Sequence, residues 1–292
     1  MWRSGLLKDG STEDLARSLA RKHTALRAET PMKLRLFQID AFASRVFAGN
    51  PAAVVPLERW LDDATLQAIA AENNLAETAF IVGGSGEYEI RWMTPTVEVD
   101  LCGHATLASG WVVMNELEPG RREVSFRSKS GPLRVAARGE RLALDFPARP
   151  GEPADAERGL LADALGHAPS ALLRARDYLA VFETEQEVRG LRPEMAKTAA
   201  LPSLGVIATA PGRDCDFVSR FFAPQGGIDE DPVTGSAHCT LVPYWSRRLG
   251  KTSLFARQVS RRGGELCCED RGERVAIAGH AVKFLEGVIE LP

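Results

Sequence analysis

Glu77 sits in Asn73-Asn-Leu-Ala-Glu-Thr-Ala-Phe80, with Leu75, Ala76, Ala79 and Phe80 for company. Apolar surroundings push a carboxylic acid toward its neutral form, and such an acid takes and returns a proton near neutral pH. That is the chemistry of moving hydrogen between two carbons. On pattern alone the residue reads more readily as a solvated glutamate at a helix end. His104 follows Gly103 at the start of a helix-like stretch, where an imidazole donates to a substrate oxygen or works as acid and base. Cys102 comes just before it. A thiol there is either activated by the helix N-terminus or buried and inert. Asp231 opens Asp231-Pro-Val-Thr-Gly-Ser-Ala-His238, and the proline biases it toward an extended conformation that turns the carboxylate into a cleft. Thr234, Gly235 and Ser236 then offer hydroxyls and backbone N–H groups to an anion, or simply cap the helix that follows.

The elements that must position these residues alternate between strand and helix. Met32 opens Lys33-Leu-Arg-Leu-Phe-Gln-Ile-Asp40, whose apolar and polar residues alternate as in a half-buried strand. Ala52 to Pro56 reads as a strand after the Gly49-Asn50-Pro51 turn, Asp62 to Asn73 as an amphipathic helix, and Ala79–Val82 and Tyr88–Met93 as strands about the glycine-rich turn 83–86. Further strands are expected at Glu123–Arg127, Pro132–Ala137 and Arg141–Phe146, before a linker at Pro147–Pro153. Arg91-Trp-Met-Thr-Pro95 is echoed by Arg220-Phe-Phe-Ala-Pro224. Each precedes a glycine and a helix-like stretch, Gly103–Trp111 and Gly235–Trp245. The echo implies two related halves, a domain at 32–148 and another at 149–292. Facing halves would aim two helix N-termini at one carboxylate. Residues 1–31, with Ser11-Thr-Glu-Asp14 and leucines at helical spacing, read as an N-terminal extension forming one exposed helix.

Composition narrows the class. With 45% hydrophobic and 26% charged residues the chain is an ordinary globular one, and a net charge of -3 gives no basic field for nucleic acid. No apolar run is long enough for a bilayer and the N-terminus lacks a secretion signal's core, so no membrane partner and a cytoplasmic location are expected. The five cysteines are irregularly spaced and read as reduced thiols, without the paired spacing of a zinc site.

Taken together, the blocks resemble the phenazine-biosynthesis PhzF-like family of isomerases, with its diaminopimelate-epimerase-like fold. From Met32 to the C-terminus the likeness is carried in order by Asp40-Ala-Phe with Phe47-Ala-Gly-Asn-Pro51; Asn74-Leu-Ala-Glu-Thr-Ala-Phe80; Arg91-Trp-Met-Thr-Pro95 with Glu98 and Leu101-Cys-Gly-His-Ala-Thr106; Ser130-Gly-Pro-Leu; Glu230-Asp-Pro-Val-Thr-Gly-Ser-Ala-His238; and Gln258-Val-Ser-Arg-Arg-Gly-Gly264. The resemblance implies an α+β fold of two pseudo-symmetric domains, each a barrel-like sheet around a central helix, with the site between them. It puts the catalytic roles on Glu77, His104 and Asp231, and substrate contacts on Gly103, Thr234, Gly235 and Ser236. It implies a small carboxylate-bearing substrate, neither metal nor organic cofactor, and a homodimer. Many members carry serine before the glutamate, where this chain has Ala76. Relatives that racemise amino acids use two thiols, one at each helix start; Cys102 stands at the first position and Asp231 is read at the second. Two other readings stay open, a two-base epimerase or racemase using Cys102 and a non-catalytic ligand-binding or interaction protein.

Overall fold

A computed structural model describes residues 31–291. The N-terminal helix read at residues 11–26 therefore lies outside the described residues. The first half runs β1 (Met32–Ala41), β2 (Asn50–Leu57), α1 (Asp63–Asn73), β3 (Glu77–Gly84), β4 (Glu87–Met93), β5 (Glu98–Val99), α2 (Gly103–Val112), β6 (Glu123–Ser128), β7 (Gly131–Arg138) and β8 (Arg141–Pro147). The second runs β9 (Glu152–Pro153), α3 (Arg158–Leu165), β10 (Ala171–Arg174), β11 (Tyr178–Val181), α4 (Glu185–Gly190), α5 (Met195–Ala199), β12 (Val206–Pro211), β13 (Phe217–Ala223), β14 (Ile228–Asp231), α6 (Gly235–Leu249), β15 (Ser253–Gln258), β16 (Gly264–Asp270), β17 (Arg274–Gly279) and β18 (Ala281–Leu291). Every strand read from the alternation is present, extended by a residue or two at its ends.

The pairing repeats. From β1 to β8 the contacts are antiparallel β1–β2, parallel β2–β3, antiparallel β3–β4 and β4–β5, parallel β4–β6, then antiparallel β6–β7 and β7–β8. From β10 to β17 the same sequence of pairings recurs, step for step. The two series meet where β8 lies antiparallel to β17, with Asp145 opposite Ala276. The shared pairing gives the strand and central-helix residues counterparts: Arg91 to Arg220, Gly103 to Gly235, Glu98 to Glu230.

Each central helix is shaped for the inside of its sheet. In α2 the sequence Gly-His-Ala-Thr-Leu-Ala-Ser-Gly-Trp-Val carries no acid, lysine or arginine, and nine of its ten residues are buried. A helix without a polar face belongs in a core, and α2 packs on β2, β3, β7 and β8. Its small residues let the sheet close in: a Cβ on Gly110 would lie 2.6 Å from Val135. Helix α6 packs on β15, β16 and β17 and contains Pro243. Proline cannot donate to the carbonyl four residues back, and the Arg149 N–H supplies that bond to Cys239 O at 2.8 Å. The stretch read as a linker is thereby stitched to the second helix. A separate apolar layer, including Leu161, Leu165, Tyr178, Val188 and Phe222, packs α3 and α4 onto the other face of the second sheet.

Two arginines fix the strand pairs that lead into the central helices. Arg91 donates through Nε and Nη2 to both oxygens of Glu98, at 2.8 and 2.9 Å. Arg220 does the same to Glu230, at 2.7 and 2.8 Å. Bidentate pairs of this kind hold geometry as well as charge, and the Arg91 guanidinium keeps the Glu98 carboxyl at about 2.

Candidate active site

Glu77 is delivered by the end of a helix. Asp62 caps α1 by accepting from Thr65 N at 2.9 Å, and the helix stops at Asn74, whose left-handed φ of 49° swings the chain into β3. Glu77 is the first residue of that strand, opposite Ala52 of β2, with a side chain only 14% exposed. Its Oε2 lies 3.1 Å from Nε2 of His104 in the first turn of α2. The approach is out of line for a hydrogen bond. Both atoms are buried and meet as an ion pair, without a hydrogen bond of good geometry. Buried polar atoms are normally satisfied, so an unfilled pair marks a place where a further group fits.

The other ring nitrogen ties the histidine to the second half. His104 Nδ1 is 3.1 Å from Asn50 Nδ2 and 3.5 Å from Cys102 Sγ. Asn50, fully buried at the start of β2, also donates to Asp231 Oδ1 at 2.7 Å and Val233 O at 2.9 Å. Two acceptors that both demand a proton fix which way this amide points. Thr234 donates its hydroxyl to the other oxygen of Asp231. Glu77, His104, Asn50 and Asp231 thus form one chain of contacts across the two halves.

A helix start from each half meets at this site. Neither Cys102 nor Thr234 caps its helix through a side chain, which leaves first-turn N–H groups to an incoming anion. The ends touch: a Cβ on Gly103 would lie 3.5 Å from Gly235 Cα, and the reverse distance is 3.6 Å. Both N-cap carbonyls are also occupied alike, by Thr106 Oγ1 on Cys102 O and by His238 Nδ1 on Thr234 O.

Electrostatics divides the groups. Burial disfavours the His104 cation, but neighbouring Cys102 and Glu77 outweigh it and hold the imidazole well above its usual pKa. Burial, with Glu77 nearby, pushes Asp231 up to about 6 despite the donors from Asn50 and Thr234. Burial pushes the Cys102 thiol up to about 11, so it is a protonated neighbour rather than a thiolate. Burial also lowers His238 to about 4, leaving it neutral. Glu77, Cys102 and His104 are the one trio of potential metal ligands among the described residues, with donor atoms within 4.8 Å of one another. Ligation needs a thiolate and a neutral imidazole, the opposite of what this site favours.

The structure brings Glu77, His104, Gly103, Gly235 and Asp231 together. It differs for Thr234, read as a donor to an anion: its hydroxyl serves Asp231 and its N–H is taken by Gln258 Oε1 at 2.8 Å. It also corrects the place of a second thiol. In the shared register the counterpart of Cys102 is Thr234, and that of Asp231 is Val99. Sequence reading missed Asn50, taken only as part of a turn, and Gln258, whose Nε2 donates to Asp231 O at 2.7 Å. Both stand in blocks that carried the family resemblance, and that was the available signal. Arg262 braces the loop before Asn50 by donating to Ala48 O, Gly49 O and Asp40.

Comparison with known proteins is decisive at this point. The phenazine biosynthesis-like protein family, PhzC-PhzF, matches residues 39–287. The chain belongs to that family. It is 52% identical over 260 residues to an uncharacterized isomerase of Pseudomonas aeruginosa, covering 89% of this chain and 100% of the relative. A crystal structure of a PhzF-family phenazine biosynthesis protein from Enterococcus faecalis superposes with a TM-score of 0.85 at 45% identity, covering 89% of this chain and 100% of the other. A predicted epimerase from Pseudomonas aeruginosa shares the fold at 21% identity, with a TM-score of 0.70 over 88% of this chain and 99% of that one. The α+β, epimerase-like architecture is that of the PhzC-PhzF family, and the relatives named as isomerases support an isomerase class. No helix among the described residues is long and apolar enough to cross a membrane.

Proposed function

We propose that the protein is a cofactor-independent isomerase that moves a proton between carbons of a small, unsaturated carboxylate. Glu77 is its general acid and base. The observation that carries this is the unfilled Glu77–His104 pair, 3.1 Å apart, beside two helix starts without side-chain caps. The Glu77 carboxylate takes a proton from a carbon next to the substrate's π system, and the C–H electron pair enters that system. Negative charge gathers on the substrate's carboxyl oxygens. Protonated His104 and the first-turn N–H groups stabilise it. Glu77 then returns the proton to a second carbon, the double bond moves, and atoms and charge balance. Asp231 and Asn50 hold His104 and the opposite helix start in register.

The test is solvent exchange. Purified protein incubated in heavy water with a panel of small unsaturated carboxylic acids is expected to place deuterium on carbon, read by mass spectrometry, and Glu77→Gln to stop it. A panel in which no acid shows Glu77-dependent uptake would overturn the reading.

A further inference from the structure

Ser236, in the first turn of α6, has a cationic neighbour that neither the motifs nor the mechanism above uses. Arg176, in the turn between β10 and β11, donates from Nη2 to Ser236 Oγ at 3.2 Å. Its head is held in place: Nε and Nη2 reach Asp177 Oδ2 at 3.1 and 2.9 Å, and Asp177 is buried. Ser203 Oγ holds the Arg176 backbone carbonyl at 3.2 Å. Among the described residues Nη1 makes no hydrogen bond, and the Arg176 side chain is 38% exposed. Arg149 adds positive charge to the same stretch of α6, since it and Arg176 both favour the thiolate of Cys239 against the burial that pushes that thiol up to about 11. A preorganised guanidinium with a free edge, set beside uncapped N–H groups, matches the two oxygens of a carboxylate. Across from it His104, 4% exposed, presents Nε2 beside Glu77, 3.1 Å away.

We propose that Arg176 is a specificity-determining residue that receives the substrate's carboxylate on the α6 side of the crevice, which turns the reacting carbon toward Glu77. The second half then adds a cation to the donors that hold the anion, while the first half moves the proton. This rests on the isomerase reading for its substrate, but its test reads binding alone. Crotonate and crotonamide, equal in shape and different in charge, are titrated calorimetrically into the whole protein at pH 7.5. Wild type is expected to bind crotonate about tenfold or more tightly than crotonamide, a gap of about 1.4 kcal/mol. Arg176→Gln abolishes that preference and Arg176→Lys restores part of it. A merely structural arginine would change the unfolding temperature and leave the ratio alone. Crotonate that fails to bind wild type, or a preference intact in Arg176→Gln, overturns the proposal. A preference that depends on Arg176 supports it even if no deuterium uptake is found, an outcome that sinks the isomerase reading by itself.

Discussion

The two halves of this protein share strand pairing, central helices and arginine straps, yet they are not chemically interchangeable. Shared register puts Gly205 opposite Glu77, Ser236 opposite His104, Thr234 opposite Cys102 and Val99 opposite Asp231. At Gly205 the reason is steric, because a Cβ there would lie 2.3 Å from the Phe221 ring. The second half has no room for the acid that the first half carries. On the proposed function, a duplicated scaffold keeps a helix start in each half to serve an anion and specialises at the strand ends, where one proton carrier suffices.

The largest expected effect comes from removing that specialisation. Glu77→Gln keeps the shape and should cost about 10²–10⁴-fold in exchange rate, measured by deuterium uptake under single-turnover conditions; a smaller loss would mean that the halves share the work. Next are the straps. Arg220→Ala breaks the pair with Glu230 and frees the carbonyls of Val188 and Leu191, which Arg220 also holds at 3.2 and 3.0 Å. It should lower unfolding free energy in urea by about 3 kcal/mol, against about 2 for Arg91→Ala. Equal losses would show that these carbonyl bonds contribute no more than the bond from Arg91 Nη1 to Asp63 at 2.9 Å.

Gly205→Ala, at the counterpart of Glu77, should destabilise by about 1–3 kcal/mol through overpacking against Phe221, read by the same urea titration. A neutral result would remove the steric account of the asymmetry. The carboxylate of Asp231 gives a pH signature of similar size. Its pKa is raised from 3.8 to about 6, so between those values the native state holds more protons than the unfolded one. The stabilisation of its protonated form is full below 3.8 and is lost as pH rises through about 6. Asp231→Asn should therefore be the more stable protein at pH 8, by on the order of 1–3 kcal/mol, with the gap vanishing near pH 3.5. A gap independent of pH would contradict the raised value.

The smallest effect is expected where the halves differ least in role. Cys102→Ser makes the first N-cap resemble Thr234, and exchange should stay within about threefold. Iodoacetamide at pH 7.5 should react slowly with a buried thiol whose pKa stands at about 11. Rapid, inactivating alkylation would revive the thiol-based epimerase.

Much of the architecture was legible in the sequence because periodicity is a local property. Alternation set the strands, and the echo of Arg91–Pro95 in Arg220–Pro224 exposed the duplication, now matched by the repeated pairing. Roles were legible only where a motif carried them. Asn50 looked like a turn residue and Gln258 was only the first residue of a motif block, since nothing local says that either will meet Asp231, in the case of Asn50 from 181 residues away. Thr234 looked like a donor to a ligand, and its two donors are spent inside the fold.

By itself the sequence determined the paired helices of small residues, the glycines at their starts and the presence of Glu77, His104 and Asp231, because these follow from composition and spacing along the chain. Tertiary structure decided which of them meet. The 3.1 Å approach of Glu77 to His104, the bridge through Asn50, the pKa directions and the guanidinium of Arg176 over Ser236 all depend on where distant strands come to rest. Burial and charge act through space, and only the folded chain sets those distances.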